Sequence, residues 1–428
     1  MATTAFVNIW GIRVGAIAWD SNTRLGSFEF DPSFKTKSID LAPIKMPINS
    51  NRSIFSFPEL RNSPTFNGLP GLLTDSLPDN YGNKLIDVWL AQQGRPPDSM
   101  NPIEKLCFIG SRGMGALEFE PAKFKNAKHT FSVDIDELVD LAKQILHERE
   151  GFHANLNADE KRAVQDILKI GTSAGGMRAK AIIAYNEKTG EVRSGQTRVP
   201  SGFEHWLIKL DGVNDSTLGD PKGYGRIEMA YHMMAVDCGI EMMECRLFEE
   251  GDRAHFMTKR FDREGSDTKH HIQTLCAIQH YDYQDVFSYS YEQLFQTMRI
   301  LRLPHPQAEQ MFRRMVFNIL AYNCDDHTKN FSFRLKEGNA WELSPAYDMT
   351  WSFDPSGQWV NQHALSINGK RRNITTDDML AIAKSIRVKN GKEIISQIRD
   401  IIDKWPSYAK QAGVSSKKIH ELYSVLKS

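Results

Sequence analysis

Over residues 6–46 apolar and polar positions alternate with a period of two. Phe6-Val7-Asn8-Ile9-Trp10 leads into a Trp10-Gly11 turn, and Ile12, Val14, Ala16 and Ala18 follow it; Phe28-Phe30 and Ile39-Leu41 extend the pattern. Alternation places successive side chains on opposite faces of a strand, so a small antiparallel β domain is predicted here. The stretch Phe66–Gly82 is dense in turn formers and reads as a structured connector into a helix with Leu85, Val88, Trp89 and Leu90 on one face. Ile109-Gly110-Ser111-Arg112-Gly113-Met114-Gly115-Ala116 reads as a loop, and helices are predicted over 133–148 and 158–169. Ala181–Tyr185 is a strand pattern entering a turn at Asn186–Gly190, and His205–Leu210 is a short apolar strand carrying one lysine. Ile227, Ala230, Tyr231, Met234 and Cys238 keep helical spacing, with Glu228 in the expected first turn. The clearest helix covers 306–322, where Ala308, Met311, Phe312, Met315, Val316, Ile319 and Leu320 hold i, i+3, i+4, i+7 order. A hairpin follows, Phe331–Phe333 and Trp341–Leu343 about a Gly338-Asn339 turn, then helices near 376–386, 391–404 and 416–427.

At 428 residues the chain is expected to form two or three domains. Lys+Arg and Asp+Glu both number 53, which argues against a globally basic nucleic-acid binder. The five cysteines show no CxxC pair and sit mostly in apolar runs, so they are expected reduced and buried, as in a cytoplasmic protein. Met1–Ala5 lacks a basic region before an apolar core, so no signal peptide is expected, and no apolar run approaches the ~20 residues that span a bilayer. The pair His270-His271 has no matching Cys or His pair to complete a metal site. Lys370-Arg371-Arg372 is expected to be a solvated turn.

The chemistry concentrates at Asn323-Cys324-Asp325-Asp326-His327-Thr328-Lys329-Asn330. An Asp with an Asn five residues on is the spacing of a kinase catalytic loop, where the Asp orients the acceptor hydroxyl and the Asn holds magnesium. Only Asp325, not Asp326, has an Asn at that distance. The hairpin after Asn330 is expected to bring Asp348 back as a second oxygen ligand. Upstream pieces fall in kinase order. The small residues Thr172, Ser173, Ala174, Gly175 and Gly176 precede a strand, where backbone N–H groups can approach phosphates. Lys209 sits in the next apolar strand, Glu228 is its candidate ion-pair partner, and His255–Asp262, with Lys259 and Phe261, is a hinge candidate facing adenine.

These residues resemble the HipA-like serine/threonine kinase toxins of bacterial toxin–antitoxin systems. The resemblance is carried by Gly68-Leu69-Pro70-Gly71-Leu72-Leu73, Asp75-Ser76-Leu77-Pro78-Asp79, Thr172–Gly176 with Lys180, Lys209, Arg260-Phe261-Asp262-Arg263, Asp325–Ser332 and Tyr347-Asp348, over nearly the whole chain. It implies an α+β chain: a small β-rich N-terminal domain over 1–125, then a two-lobed kinase-like fold with an N-lobe over 126–262 and a helical C-lobe over 263–428. It further implies dependence on ATP and Mg2+, Asp325 as catalytic base, Asn330 and Asp348 as metal ligands, Lys209 at the phosphates, and Ser173 as a self-inactivating autophosphorylation site. Partners implied are a helix-turn-helix antitoxin of the HipB kind, DNA indirectly through it, and a protein substrate of which aminoacyl-tRNA synthetases are family examples; no membrane is involved. Lys259, and Gln273-Thr274, stand where some members carry acidic residues. The alternatives are a small-molecule phosphotransferase, against which the N-terminal domain and the Ser173 loop argue, and a non-catalytic antitoxin-bound co-repressor, against which Lys209, Asp325, Asn330 and Asp348 together argue.

Overall fold

The computed structural model describes residues 2–122, 130–147, 171, 178–196, 198–213 and 223–427. The expected helix over 158–169 and the segment Thr172–Gly176, with Ser173, lie outside these described residues. The chain forms two compact units. One comprises Met1–Lys222, Phe248–Ile272 and Lys336–Gly338; the other comprises Gly223–Leu247, Gln273–Leu335 and Asn339–Ser428.

The first unit contains one five-stranded sheet and all of a second but the start of its edge strand. In the N-terminal sheet, β1 (Thr4–Ile9), β2 (Ile12–Asp20), β3 (Leu25–Phe30), β4 (Ile54–Phe55) and β5 (Leu117–Glu120) lie in the order β4-β3-β2-β1-β5. Trp10 and Gly11 both have positive φ, 49° and 73°, and pair Ile9 with Ile12 across a tight hairpin. Positive φ at both central residues matches the strand twist. Val7 and Ile9 alternate into the core, and a register shift opposite Val7 and Asn8 puts Val14 and Ile17 there rather than the expected Ala16 and Ala18, while Phe6 faces out beneath the Arg13 guanidinium, 3.9 Å from its ring centroid. The strand expected at Ile39–Leu41 is absent: that stretch is irregular, and Leu41 is buried without belonging to the sheet. The sheet is completed instead by β5, which pairs antiparallel with β1.

The turn-rich connector packs as core. Phe66, Leu69, Leu72 and Leu73 are all buried, and Gly68 (φ 72°) accepts the Gly26 N–H at 2.9 Å. A Cβ at Gly68 would lie 2.3 Å from the Arg24 carbonyl oxygen, so only glycine fits there. Helix α1 (Asn80–Gln92) follows, capped by Asp79, then α2 (Pro102–Ile109), opened by a capping box between Asn101 and Glu104.

Helix α3 (Ile135–His147) precedes the second sheet, formed by β6 (Lys180–Tyr185), β7 (Val192–Ser194), β8 (Glu204–Lys209), β9 (Cys245–Glu250) and β10 (Arg253–Lys259) in the order β7-β6-β8-β10-β9. Its core joins Leu85 and Val88 of α1, Phe108 of α2, Leu138 and Ala142 of α3, and Ala181, Ile183, Trp206, Ile208 and Met257 of the sheet.

The second unit is mainly helical. Its helices are α4 (Tyr224–Asp237), α5 (Leu275–Gln279), α6 (Tyr291–Ile300), α7 (His305–Leu320), α8 (Thr376–Ser385), α9 (Gly391–Ile402), α10 (Trp405–Gln411) and α11 (Ser416–Leu426), with a hairpin of β11 (Ser332–Leu335) and β12 (Trp341–Leu343). Helix α4 begins earlier than its apolar spacing suggested, because Gly223 (φ 84°) starts it. Glu228 therefore lies one turn inside the helix, buried, rather than in the first turn beside the dipole. Met311, Phe312, Met315, Val316 and Ile319 of α7 are buried as their spacing requires. The helix expected over 391–404 ends at Ile402, and Pro406 in the first turn of α10 restarts it. No described helix is long and apolar enough to cross a membrane, and all five cysteines are buried and unpaired in disulfides.

Candidate active site

Helix α7 delivers the acidic loop through its C-cap. Tyr322 adopts left-handed backbone (φ 53°), and the Asn323 N–H bonds back to the Asn318 carbonyl at 2.9 Å while Tyr322 N–H reaches Ile319 at 3.5 Å. This paired 6→1 and 5→2 closure is a Schellman motif, which stops the helix and turns the chain outward. The loop is then stitched to the segment after Asp348: Cys324 N–H donates to Ser352 O at 3.0 Å, and Ser352 N–H to Tyr322 O at 3.1 Å.

The two neighbouring aspartates have opposite environments. The Asp325 side chain is 50% exposed, with His327 Nε2 at 3.8 Å. The Asp326 side chain is fully buried. It accepts Tyr291 Oη–H at 2.8 Å, His363 Nδ1 at 3.0 Å and Ala364 N–H at 2.7 Å. Tyr291 in turn accepts from the Asn318 amide at 3.0 Å, and Asn323 donates to Asn318 Oδ1 at 2.9 Å. Burial alone would push the His363 pKa down, but the Asp326 carboxylate and the Cys324 sulfur raise it to about 10. His363 is therefore an imidazolium at neutral pH.

A raised pKa contributes stability fully below the unfolded value of 6.5, and the contribution disappears as pH rises through about 10. The thermal midpoint of the wild type should therefore exceed that of His363→Gln most at pH 6, and the gap should shrink by pH 10. A gap constant across that range would contradict a charged His363.

The hairpin returns the chain to the loop. The Tyr347 hydroxyl donates to Lys329 O at 2.7 Å, placing the residues next to Asp348 and Asn330 in contact. Asp348 itself has φ 53°, and Asn323 Nδ2 approaches its carbonyl at 3.4 Å. Aspartate tolerates this left-handed geometry better than most residues, and such outliers collect at functional sites. The Asn330 amide N–H donates to the Asp325 carbonyl at 2.7 Å, which orients the amide and leaves its oxygen outside that bond. An amide oxygen and a carboxylate are the hard donors that magnesium takes. Among the described residues no group of three or more His, Cys, Asp or Glu side chains could hold a metal by itself.

In the first unit, Lys180 on β6 stands directly opposite Lys209 on β8, and Phe256 on β10 opposite Lys209 on its other side. Directly opposed residues of antiparallel strands share a face, with Cβ atoms roughly 5 Å apart. Lys180 is buried and Lys209 half-buried. The Lys209 ammonium lies 5.7 Å from the Phe256 ring centroid. Lys259 instead forms an ion pair with Glu204 at the end of β10, and the half-buried Phe261 follows it. Glu228 lies buried in the second unit.

His270 and His271 go to internal partners, Glu264 at 3.1 Å and the Leu41 carbonyl at 3.2 Å. The sequence did not point to Tyr291 and His363, which hold Asp326 from separate parts of the chain, nor to Asn318, which supports Tyr291. A sequence signal beside Tyr291 is the Ser290-x-x-Gln293 capping box that opens α6.

Comparison with curated proteins gives no match. Among solved structures the chain is similar to HipA of the Shewanella oneidensis MR-1 toxin–antitoxin system, solved with HipB and its operator DNA. Identity is 16%, coverage is 99% of this chain and 95% of that one, and the TM-score is 0.69. The likeness shows the fold: mixed α and β with a β-rich N-terminal domain, as expected. The Helicobacter pylori proinflammatory kinase CtkA aligns over 52% of this chain and 86% of its own at 15% identity, with a TM-score of 0.33. The model for the HipA N-terminal domain matches residues 5–120, and that for the HipA-like C-terminal domain matches 172–405, more than half of the chain. The chain belongs to the HipA family.

Proposed function

We propose that this protein is an ATP- and Mg2+-dependent serine/threonine protein kinase that acts as a growth-arresting toxin of the cytoplasm. The observation that carries the reading is the split between the two aspartates: Asp326 is pinned inside by three donors while Asp325 stands half-exposed on the same loop. In this reading the substrate hydroxyl gives its proton to the Asp325 carboxylate as its oxygen bonds to the γ-phosphorus. The bond from that phosphorus to the bridging oxygen breaks, and ADP leaves with the electron pair. Asn330 and Asp348 would hold magnesium, whose positive charge offsets that of the phosphates when bound. Lys180 and Lys209 would contact the phosphates, and membership of the HipA family supports the assignment. Ser173 is proposed as the self-inactivating phosphorylation site, because a phosphate there would repel the nucleotide's own. A HipB-type helix-turn-helix antitoxin, with DNA bound through it, is supported by the HipB–DNA complex of the Shewanella protein. A protein substrate such as an aminoacyl-tRNA synthetase completes the proposal.

The test is incubation of the purified protein with Mg2+ and γ-labelled ATP, followed by peptide mapping. Label on Ser173, absent from Ser173→Ala, is expected; no incorporation into the protein or into proteins of a bacterial lysate would overturn the kinase reading. Lys209→Met should lower kcat/KM for ATP by on the order of 10- to 100-fold, since it removes one preorganised charge at the phosphates. An unchanged value would remove Lys209 from the site.

A further inference from the structure

We propose that His363 is a positioning residue of the phosphotransfer loop: it grips the residues on both sides of Asp325 and so sets the direction in which Asp325 points. The inference rests on Asp325 as the proton acceptor. His363 Nδ1 lies 3.0 Å from Asp326 Oδ2, and its Nε2 lies 3.8 Å from Cys324 Sγ. Cys324, Asp326 and His363 are all buried, while the Asp325 side chain between the first two is half-exposed. This is the alternation of an extended chain, in which residues i−1 and i+1 project to one side and residue i to the other. One imidazole that holds both inward neighbours therefore leaves Asp325 only the outward direction.

The grip is itself anchored. The His363 N–H donates to the Arg371 carbonyl at 3.1 Å, the Ala364 N–H donates to Asp326, and the Arg371 guanidinium bonds the Ala364 carbonyl and Tyr289 O. The 363–371 segment is thus locked on itself and clamps the loop through His363. Tyr291 supplies a second hold on the same Asp326 oxygen, from helix α6.

Asparagine and glutamine separate the two arms of this clamp. The amide nitrogen of Asn can take the place of Nδ1, keeping the bond to Asp326; that of Gln takes the place of Nε2 and loses it. Self-labelling from Mg-ATP is measured for wild type, His363→Gln, His363→Asn and the near-isosteric Tyr291→Phe, per folded molecule. Positioning predicts that His363→Gln loses on the order of tenfold in maximal rate, since small misalignments of a catalytic group are costly. The half-saturating ATP concentration should stay within about twofold, because nucleotide contacts are untouched. His363→Asn should recover most of the rate, and Tyr291→Phe should lose a few-fold. A merely structural histidine would lower the yield and melting temperature of both His363 variants without this split. If both His363 variants fail to fold, Tyr291→Phe decides alone. Wild-type rates in every folded variant overturn the inference; a wild type that transfers no phosphate overturns the kinase reading and this inference with it.

Discussion

Asp325→Asn should lower phosphate transfer from ATP by on the order of 10²–10⁴-fold, the usual contribution of a positioned general base. The substitution keeps the shape of the side chain and removes its ability to accept a proton. Because the carboxylate is half-exposed, with the His327 ring nitrogen no closer than 3.8 Å, the melting temperature should barely move. Asp326→Asn should show the opposite profile. It puts an amide N–H against one of three inward donors, so stability falls while part of the activity remains. The two variants are compared by self-labelling and thermal unfolding, and by phosphoproteomics after brief induction of wild type and Asp325→Asn. If both variants label like wild type, the base is misassigned. If no host protein differs in phosphorylation between wild type and Asp325→Asn, the co-repressor reading gains.

This contrast marks how far the sequence could be read. The approach of the Tyr347-Asp348 segment to the Asp325–Asn330 loop was legible because the relation is local: a fixed spacing, then a hairpin whose turn residues announce the return of the chain. Helix α7 was legible because one apolar stripe runs its whole length. Asp326 was not legible as a structural anchor. Its partners Tyr291 and His363 lie 35 and 37 residues away, on a helix and an irregular segment that only tertiary packing brings together. Likewise Lys180 and Lys209 were visible as single lysines, but their pairing depends on strand register, which side-chain alternation constrains only to within two residues. The strand misplaced at Ile39–Leu41 has the same origin. The strand that flanks β1 on the side away from β2 is Leu117–Glu120, more than a hundred residues on, and no local pattern reports which apolar stretch joins a sheet at long range.

Asp262→Ala should destabilise the first unit by about 3–5 kcal/mol, the cost of removing one member of a buried ion pair. Asp262 is fully buried and accepts Arg260 Nε at 2.8 Å, Arg260 Nη2 at 2.6 Å, Arg263 Nη1 at 2.6 Å and the Gly115 N–H at 2.8 Å. Arg263 also donates to the Gly113 and Gly115 carbonyls, so the cluster ties the glycine-rich loop after α2 to the end of β10. Without the carboxylate, two adjacent buried guanidinium groups lose the counter-charge they share. Burial pushes the Asp262 carboxyl pKa up, but Arg260 and Arg263 more than offset it and hold it well below the usual range. A depressed carboxylate stabilises above the unfolded pKa, near 3.8, and loses that contribution as pH falls through the folded value. Urea unfolding should therefore show a constant gap between wild type and Asp262→Ala from pH 5 to 8, closing as pH drops below 4. A gap under about 1 kcal/mol at neutral pH would mean that the two arginines find other partners when the carboxylate is lost, and that the cluster is not what joins the loop to the sheet.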